Sequence, residues 1–363
     1  MSAFYHTKYG RPPKKKKKAK MLRIFRNIII LLIIAGSIST YLIYRALWKT
    51  NVWIHENTTT SIYIPTGATF NDVKDILYEQ GLIINRNSFE WLAKKKKYPG
   101  LVKPGRYIIK EEIGNNELIN LLRSGMQTPV NVLFNNIRTK NQLAQIIAKQ
   151  IEADSTSIMQ VIDDPSFLKQ FDLAPENSIM IFIPNTYEFY WNTDARDFVE
   201  RMGEEYNRFW NTKRMQKLGR TGMTKEEVII LASIVEKETI KDDEKPLIAG
   251  VYINRLKKRW LLQADPTIVY ALGDFNIKRV LNEHKKIDSP YNTYKNAGLP
   301  PGPICIPSIV SIDAVLDFED TGFMFFCAKD DLSGYHNFAK SNRQHQKNAR
   351  KFQQALDKLN IKQ

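Results

Sequence analysis

Hydrophobic residues are unevenly spread along the chain, and the densest run comes first. Residues 27–44, NIIILLIIAGSISTYLIY, are eighteen positions without a charge, set between Arg26 and Arg45. At about 1.5 Å per residue, a helix of that length just crosses a hydrocarbon core of about 30 Å, with Tyr41, Tyr44 and Trp48 suited to the far interface. No small-residue cleavage site follows, and the run is long for the apolar part of a signal peptide. A transmembrane helix over residues 27–48 is therefore expected, in place of a cleaved leader or a buried core helix.

Beyond a polar linker at residues 49–60, strand-like and helix-like spacing alternate. A strand at residues 61–64 leads into a helix over 69–80, where Val73, Ile76 and Leu77 recur at helical intervals. A helix near 88–95, a strand at 106–109 opened by Pro104-Gly105, and a helix at 116–124 follow. The run Lys94 to Lys97 reads as a solvated helix end, because Tyr98-Pro99-Gly100 breaks the helix directly after it. Residues 130–210 repeat this order with little identity: VNVLF as a strand, 141–151 and 155–162 as helices, 184–189 in the place of 104–109, and a closing helix at 195–210. The segments drawn from this are a tail at 1–26, the span at 27–48, the linker at 49–60, a small module at 61–128 and a larger domain at 129–363.

The other strongly apolar stretch, residues 224–240 (TKEEVIILASIVEKETI), has a start signal and a period. Thr224 with Glu227 makes a capping box, and Val228, Leu231, Ala232 and Val235 fall on one helical stripe. Glu236 lies beside that stripe, one turn above the small residues Ala232 and Ser233, which would leave a groove over its carboxylate. Glu238 projects from nearly the opposite side and cannot share a proton with Glu236. A second helix is expected at 243–258. Three loop segments rich in proline, glycine and aromatic residues follow, at 262–267, 289–294 and 298–304; then come a strand at 323–328, a loop at 334–338 and a terminal helix over 339–359.

Charge adds a topology. The formal net charge is +16, but ten of the 54 basic residues and none of the 38 acids lie in residues 1–26, leaving +6 for the remaining 337. The excess is a tail beside an apolar span, which the positive-inside rule keeps cytoplasmic, so residues beyond Trp48 face outward. No nucleic-acid module, phosphate-binding loop or serine elbow is present, and no nucleic-acid partner or cofactor is expected. Cys305 and Cys327 are too few for a disulfide framework and read as two buried small hydrophobes. His336 and His345 have no metal-triad spacing and read as surface histidines, so no metal is expected.

A carboxyl group against apolar side chains has its charged form destabilised, so Glu236 is a candidate general acid with a raised pKa. A glutamate near a helix C-terminus equally makes salt bridges, here to Lys245. Gln263, Asp265, Thr267, Tyr291, Asn292, Tyr294 and Asn337 combine planar polar groups with aromatic faces, the two features that bind sugars. Asp265 before Pro266 and Asn292 before Thr293 are equally turn formers.

The segments LASIVEKE at 231–238, VYINRL at 251–256, LQADPT at 262–267, YNTY at 291–294 and GLPPGPI at 298–304 together resemble the YceG-like family of endolytic murein transglycosylases. Ala264 departs from the small polar residue the family often has there, and the basic N-terminus is long. The resemblance implies an α+β chain with a single N-terminal transmembrane helix, a small LysM-like α/β module and a mixed α+β catalytic domain, held in the cytoplasmic membrane with the catalytic region outside. It implies a lytic transglycosylase acting on peptidoglycan glycan strands, with peptidoglycan synthases as possible company. In that reading Glu236 is the catalytic residue, and Gln263, Asp265, Thr267, Tyr291, Asn292, Tyr294, Asn254 and Asn337 bind substrate. A hydrolytic muramidase using Asp265 as a second carboxylate, Glu238 being excluded by helix geometry, and a non-catalytic glycan-binding scaffold are the alternatives.

Overall fold

The computed structural model describes residues 15–54, 58–277 and 279–358. Residues 1–14 of the basic tail, residues 55–57 of the linker and residue 359 of the expected terminal helix lie outside the described residues. The chain divides into two compact units, Met1–Thr128 and Pro129–Gln363.

In the first unit α1 (Lys15–Trp48) is one helix of 34 residues. It starts earlier than the expected span because no breaker separates the lysine run from the apolar run. Within it, Lys20–Trp48 is long and apolar enough to cross a membrane. Then come β1 (Thr59–Ile64), α2 (Phe70–Glu79), α3 (Arg86–Lys95), β2 (Gly105–Lys110) and α4 (Asn115–Ser124). β1 and β2 pair antiparallel with Ile62 opposite Tyr107. The strand period turns Ile62, Ile64, Tyr107 and Ile109 into a core with Val73, Leu77, Phe89 and Leu92. The end of α1 packs against the start of α4: Asn115 donates to the Ala46 carbonyl at 3.0 Å, and a Cβ at Gly114 would lie 3.0 Å from the Leu47 oxygen.

The second unit opens with β3 (Val130–Leu133), α5 (Lys140–Ala148), α6 (Ser155–Ile162), the short α7 (Pro165–Leu168), β4 (Thr186–Phe189) and α8 (Ala195–Phe209). Apart from α7 and short 3-10 turns, the order strand, helix, helix, strand, helix recurs, and β3 pairs antiparallel with β4. A helix absent from the sequence reading, α9 (Thr212–Thr221), precedes α10 (Lys225–Glu238) and α11 (Lys245–Lys257).

Downstream, the loop-rich expectation needs correction. Asp265 begins α12 (Asp265–Leu272), since Pro266 sits in the first turn, where its missing N–H loses nothing. Ser308 caps α13 (Ile309–Leu316). Residues expected as a loop form β6 (His336–Ala339), paired with β5 (Phe325–Ala328) so that Asn337 faces Cys327, and α14 (Asn342–Lys358) follows. Cys305 is buried as expected, whereas Cys327 is half-buried.

α10 is the axis of this unit. All eight residues from Val228 to Val235 are buried, so the helix has no single apolar stripe. Helices α11, α12 and α13 pack around it, the environment of a helix that is apolar on every side.

Candidate active site

The start of α10 is fixed as its sequence dictates: the Glu227 N–H donates to Thr224 Oγ1 at 3.1 Å, and the Thr224 N–H to Glu227 Oε2 at 2.8 Å. Higher up, no groove lies over the small residues. The Ile304 N–H donates to Ser233 Oγ at 3.0 Å and Cys305 Sγ lies 3.5 Å from the Ser233 oxygen, so segment 304–305 fills that space.

The two glutamates leave the end of α10 for different surroundings. Glu236 Oε2 accepts from Ser308 Oγ at 2.6 Å and Ser311 Oγ at 2.5 Å, with Lys245 Nζ at 3.4 Å. Ser308 caps α13, so this carboxylate also faces the positive end of a helix. Burial pushes the Glu236 carboxyl up, but the two serine hydroxyls, the Lys245 ammonium and the Ser308 N–H together outweigh it and hold the group below its ordinary value. The expected rise is therefore overturned, and the salt bridge to Lys245 is formed.

Glu238 is the opposite case. Its Oε1 accepts from the Tyr252 hydroxyl at 2.5 Å. Burial pushes its carboxyl up to about 7; the charge of Asp265 adds to the rise, and Tyr252 and Arg255 oppose it. Burial also raises the Tyr252 phenol well above its ordinary value, so Tyr252 stays a donor. Asp265, at the start of α12, accepts from the Tyr294 hydroxyl at 2.5 Å. Glu238 and Asp265 line one cavity of about 350 Å³, together with Arg138, Lys237 and Arg279. Helix geometry does send the two glutamates apart; Glu238, which that geometry was used to exclude, is the one sharing a cavity with Asp265.

A larger cavity of about 560 Å³ opens at the other end of α10. Its carboxylates are already engaged, Glu227 in the capping box and Glu226 with Asn177. The smaller cavity is the one with a displaced carboxyl, and displaced groups in clefts mark functional sites.

The other expected binding residues divide. Gln263 is exposed, with φ of 50°, a left-handed backbone held by its N–H bond to the Thr293 oxygen. Strained backbone of this kind gathers at functional sites. Thr267 is fully buried between the Ala264 oxygen and Thr293 Oγ1. Asn292 is fully buried too, donating to the oxygens of Lys285 and Ile287. Asn254 donates to the Phe323 oxygen at 3.0 Å. These three shape loops and have their donors occupied. Tyr291 packs on Tyr270 with centroids 4.8 Å apart. Asn337 is half-buried on β6, beside His336, which is paired with buried Glu244 at 2.8 Å and is no isolated surface histidine. The sequence reading missed Tyr252 and Arg255, which lie in a segment it quoted. Arg255 Nε donates to the Met324 oxygen at 2.8 Å and Nη1 to the Leu262 oxygen at 2.6 Å, tying the loop that carries Asp265 to the chain entering β5. Among the described residues no group of three or more His, Cys, Asp or Glu side chains could hold a metal ion.

Comparison with known proteins adds relatives. The profile of the YceG-like family matches residues 62–351. An endolytic murein transglycosylase of Bacillus subtilis is 29% identical over 311 residues, covering 81% of this chain and 85% of that protein. One from Streptococcus pneumoniae is 27% identical over 79% of this chain, which spans 57% of that longer protein. A crystal structure of a yceG-like protein from Listeria monocytogenes superposes with a TM-score of 0.56 at 26% identity, covering 80% of this chain and 98% of the other.

Proposed function

The chain belongs to the YceG-like family, and on that footing we propose that it is a membrane-anchored lytic transglycosylase of peptidoglycan glycan strands. The names of its relatives support the reaction, and α1 supports the anchor. The positive-inside rule puts the N-terminus in the cytoplasm and the residues beyond Trp48 outside. We read residues 59–110 as a LysM-like module, a reading their strand, helix, helix, strand order supports, and peptidoglycan synthases are the partners such an enzyme would work beside.

The observation that carries the assignment is the Glu238 carboxyl, raised to about 7 in a cavity it shares with Asp265. A carboxyl that keeps its proton near neutral pH can donate it to a glycosidic oxygen. We therefore assign the acid to Glu238 in preference to Glu236, whose carboxylate is held ionised by four donors. The Tyr252 hydroxyl occupies Glu238 Oε1, which leaves Oε2 to carry the proton. As the bond between N-acetylmuramic acid and N-acetylglucosamine breaks, Glu238 protonates the leaving oxygen. The resulting carboxylate then accepts the proton of the muramoyl C6 hydroxyl as that oxygen attacks C1, giving a 1,6-anhydro end with no water consumed. Asp265, oriented by Tyr294, stabilises the positive charge developing on the ring.

Two carboxyls in one cavity also fit a hydrolase in which Asp265 activates water. Digestion of glycan strands by the purified protein, with product masses read, separates the two. Anhydro ends are expected, abolished in Glu238→Gln; reducing ends would make the protein a muramidase, and no cleavage at all would favour a glycan-binding scaffold.

A further inference from the structure

The cavity that holds Glu238 and Asp265 carries more positive charge than its chemistry needs. Arg138, Lys237 and Arg279 all line it. The Glu238 and Asp265 carboxyls are each already bonded by a tyrosine hydroxyl, that of Tyr252 and that of Tyr294. Even with both carboxyls ionised, three cations face two anions among the lining residues, so the cavity is net positive.

Their placement is ordered. The Arg138 guanidinium lies over the Phe275 ring, 4.3 Å from its centroid, which fixes the plane of its donor fork. Lys237 is held by Asn136 Oδ1, and Arg279 is exposed on the loop that closes the cavity wall. Neutral N-acetyl sugars offer such a wall only carbonyl and hydroxyl acceptors and leave its charge unpaired. A carboxylate matches it, since the guanidinium fork donates to both oxygens of a planar acid.

We infer that this wall is a carboxylate subsite, so that the cavity selects glycan carrying an acidic substituent on the sugar at the scissile bond over neutral amino-sugar polymer. The inference rests on the peptidoglycan reading above. There the acid has two sources: the carboxylates of a stem peptide, or the lactyl acid laid bare when the stem is removed.

The test is binding, which does not depend on turnover. Full-length protein in detergent, carrying Glu238→Gln to prevent cleavage, is titrated with three ligands: strands bearing stem peptides, strands stripped of stems by an amidase, and a neutral N-acetylglucosamine oligomer of matched length. Adding Arg138→Gln and Arg279→Gln should weaken the acid-bearing ligands about tenfold or more and leave the neutral oligomer within about twofold. A loss confined to stem-bearing strands assigns the subsite to peptide carboxylates, and a loss on stripped strands assigns it to the lactyl acid. Arg138→Lys, which keeps the charge but loses the fork, should lose part of the affinity for the acid-bearing ligands and none for the neutral oligomer, and an unchanged melt excludes misfolding. Equal losses on all three ligands, or none on the acidic ones, would overturn the inference. Failure of the transglycosylase reading would appear separately, as wild type releasing no anhydro ends.

Discussion

Glu236 and Glu238, two positions apart at the end of one helix, have proton affinities displaced in opposite directions: the first below its ordinary value, the second up to about 7. Pairs of carboxyls pushed apart in this way identify which one can carry a proton in a reaction. Removing the proton donor should cost on the order of 10²- to 10⁴-fold in rate. Glu238→Gln is therefore expected to abolish release of anhydro ends within assay limits, and Glu236→Gln to retain a substantial part of it. Mass analysis of timed digests decides between them, and the reverse pattern would return the acid role to Glu236.

The rate should also follow the proton. Since Glu238 must be protonated to act, kcat/KM is expected to fall as pH rises through about 7. A profile flat from pH 6 to pH 9 would contradict the assignment.

Stability should carry the same signature. The Glu238 carboxyl titrates near its ordinary value of 4.5 when unfolded and near 7 when folded. Below both values the group is protonated in either state and has no effect. Between them the unfolded chain ionises first, so folding stability declines as pH rises and levels off above about 7. Glu238→Gln removes that decline. Its melting temperature should match wild type near pH 4 and exceed it at pH 8, by a free energy on the order of 3 kcal/mol. Equal melts at both pH values would mean that burial does not displace this group.

Glu236 should behave as a tie between helices. Lys245 is buried and bonds both Glu236 and Asp242. Lys245→Met leaves Glu236 with its serine donors but no counter-ion, and a loss of about 2 kcal/mol is expected in chemical denaturation. Combined with Glu236→Gln, the losses should add to less than their sum, because both variants break one contact.

Backbone approach gives a further test. In α11 a Cβ at Gly250 would lie 2.2 Å from the Glu319 carbonyl oxygen, a contact with backbone that cannot swing aside. Gly250→Ala should therefore destabilise by about 1 to 3 kcal/mol, although alanine is the better helix former. An unchanged or raised melt would mean that the 319 segment can shift.

What could be read in advance follows the range of the interactions. The capping box of Thr224 and Glu227 and the strands near 61–64 and 106–109 depend on neighbours or on strand period, and both were legible, whereas the antiparallel pairing of Ile62 with Tyr107 was not. The surroundings of Glu236 were not, because they are set by Ser308 and Ser311, some seventy positions away, in a helix that the sequence reading left unmarked. For Asp265 the alternative to a binding role was a turn former beside proline, whereas Pro266 sits in the first turn of α12. Asn254, Thr267 and Asn292 have the composition of sugar ligands, yet each is turned inward to a backbone carbonyl. Residue type alone does not separate a ligand donor from a loop donor; the direction of the bond does.

Arg255 adds a consequence in time. Its guanidinium clasps the carbonyl of Leu262 on one side and that of Met324 on the other, so the segment leading to Asp265 is secured only when a much later part of the chain is in hand. A chain emerging N-terminus first exposes Glu236 and Glu238 long before that clasp can close. A chain halted before residue 324 should leave residues 262–265 open to protease, and release of the finished C-terminal part should close them. The cavity of Glu238 and Asp265 would then be among the last parts of its unit to take final form, however early its own residues are made.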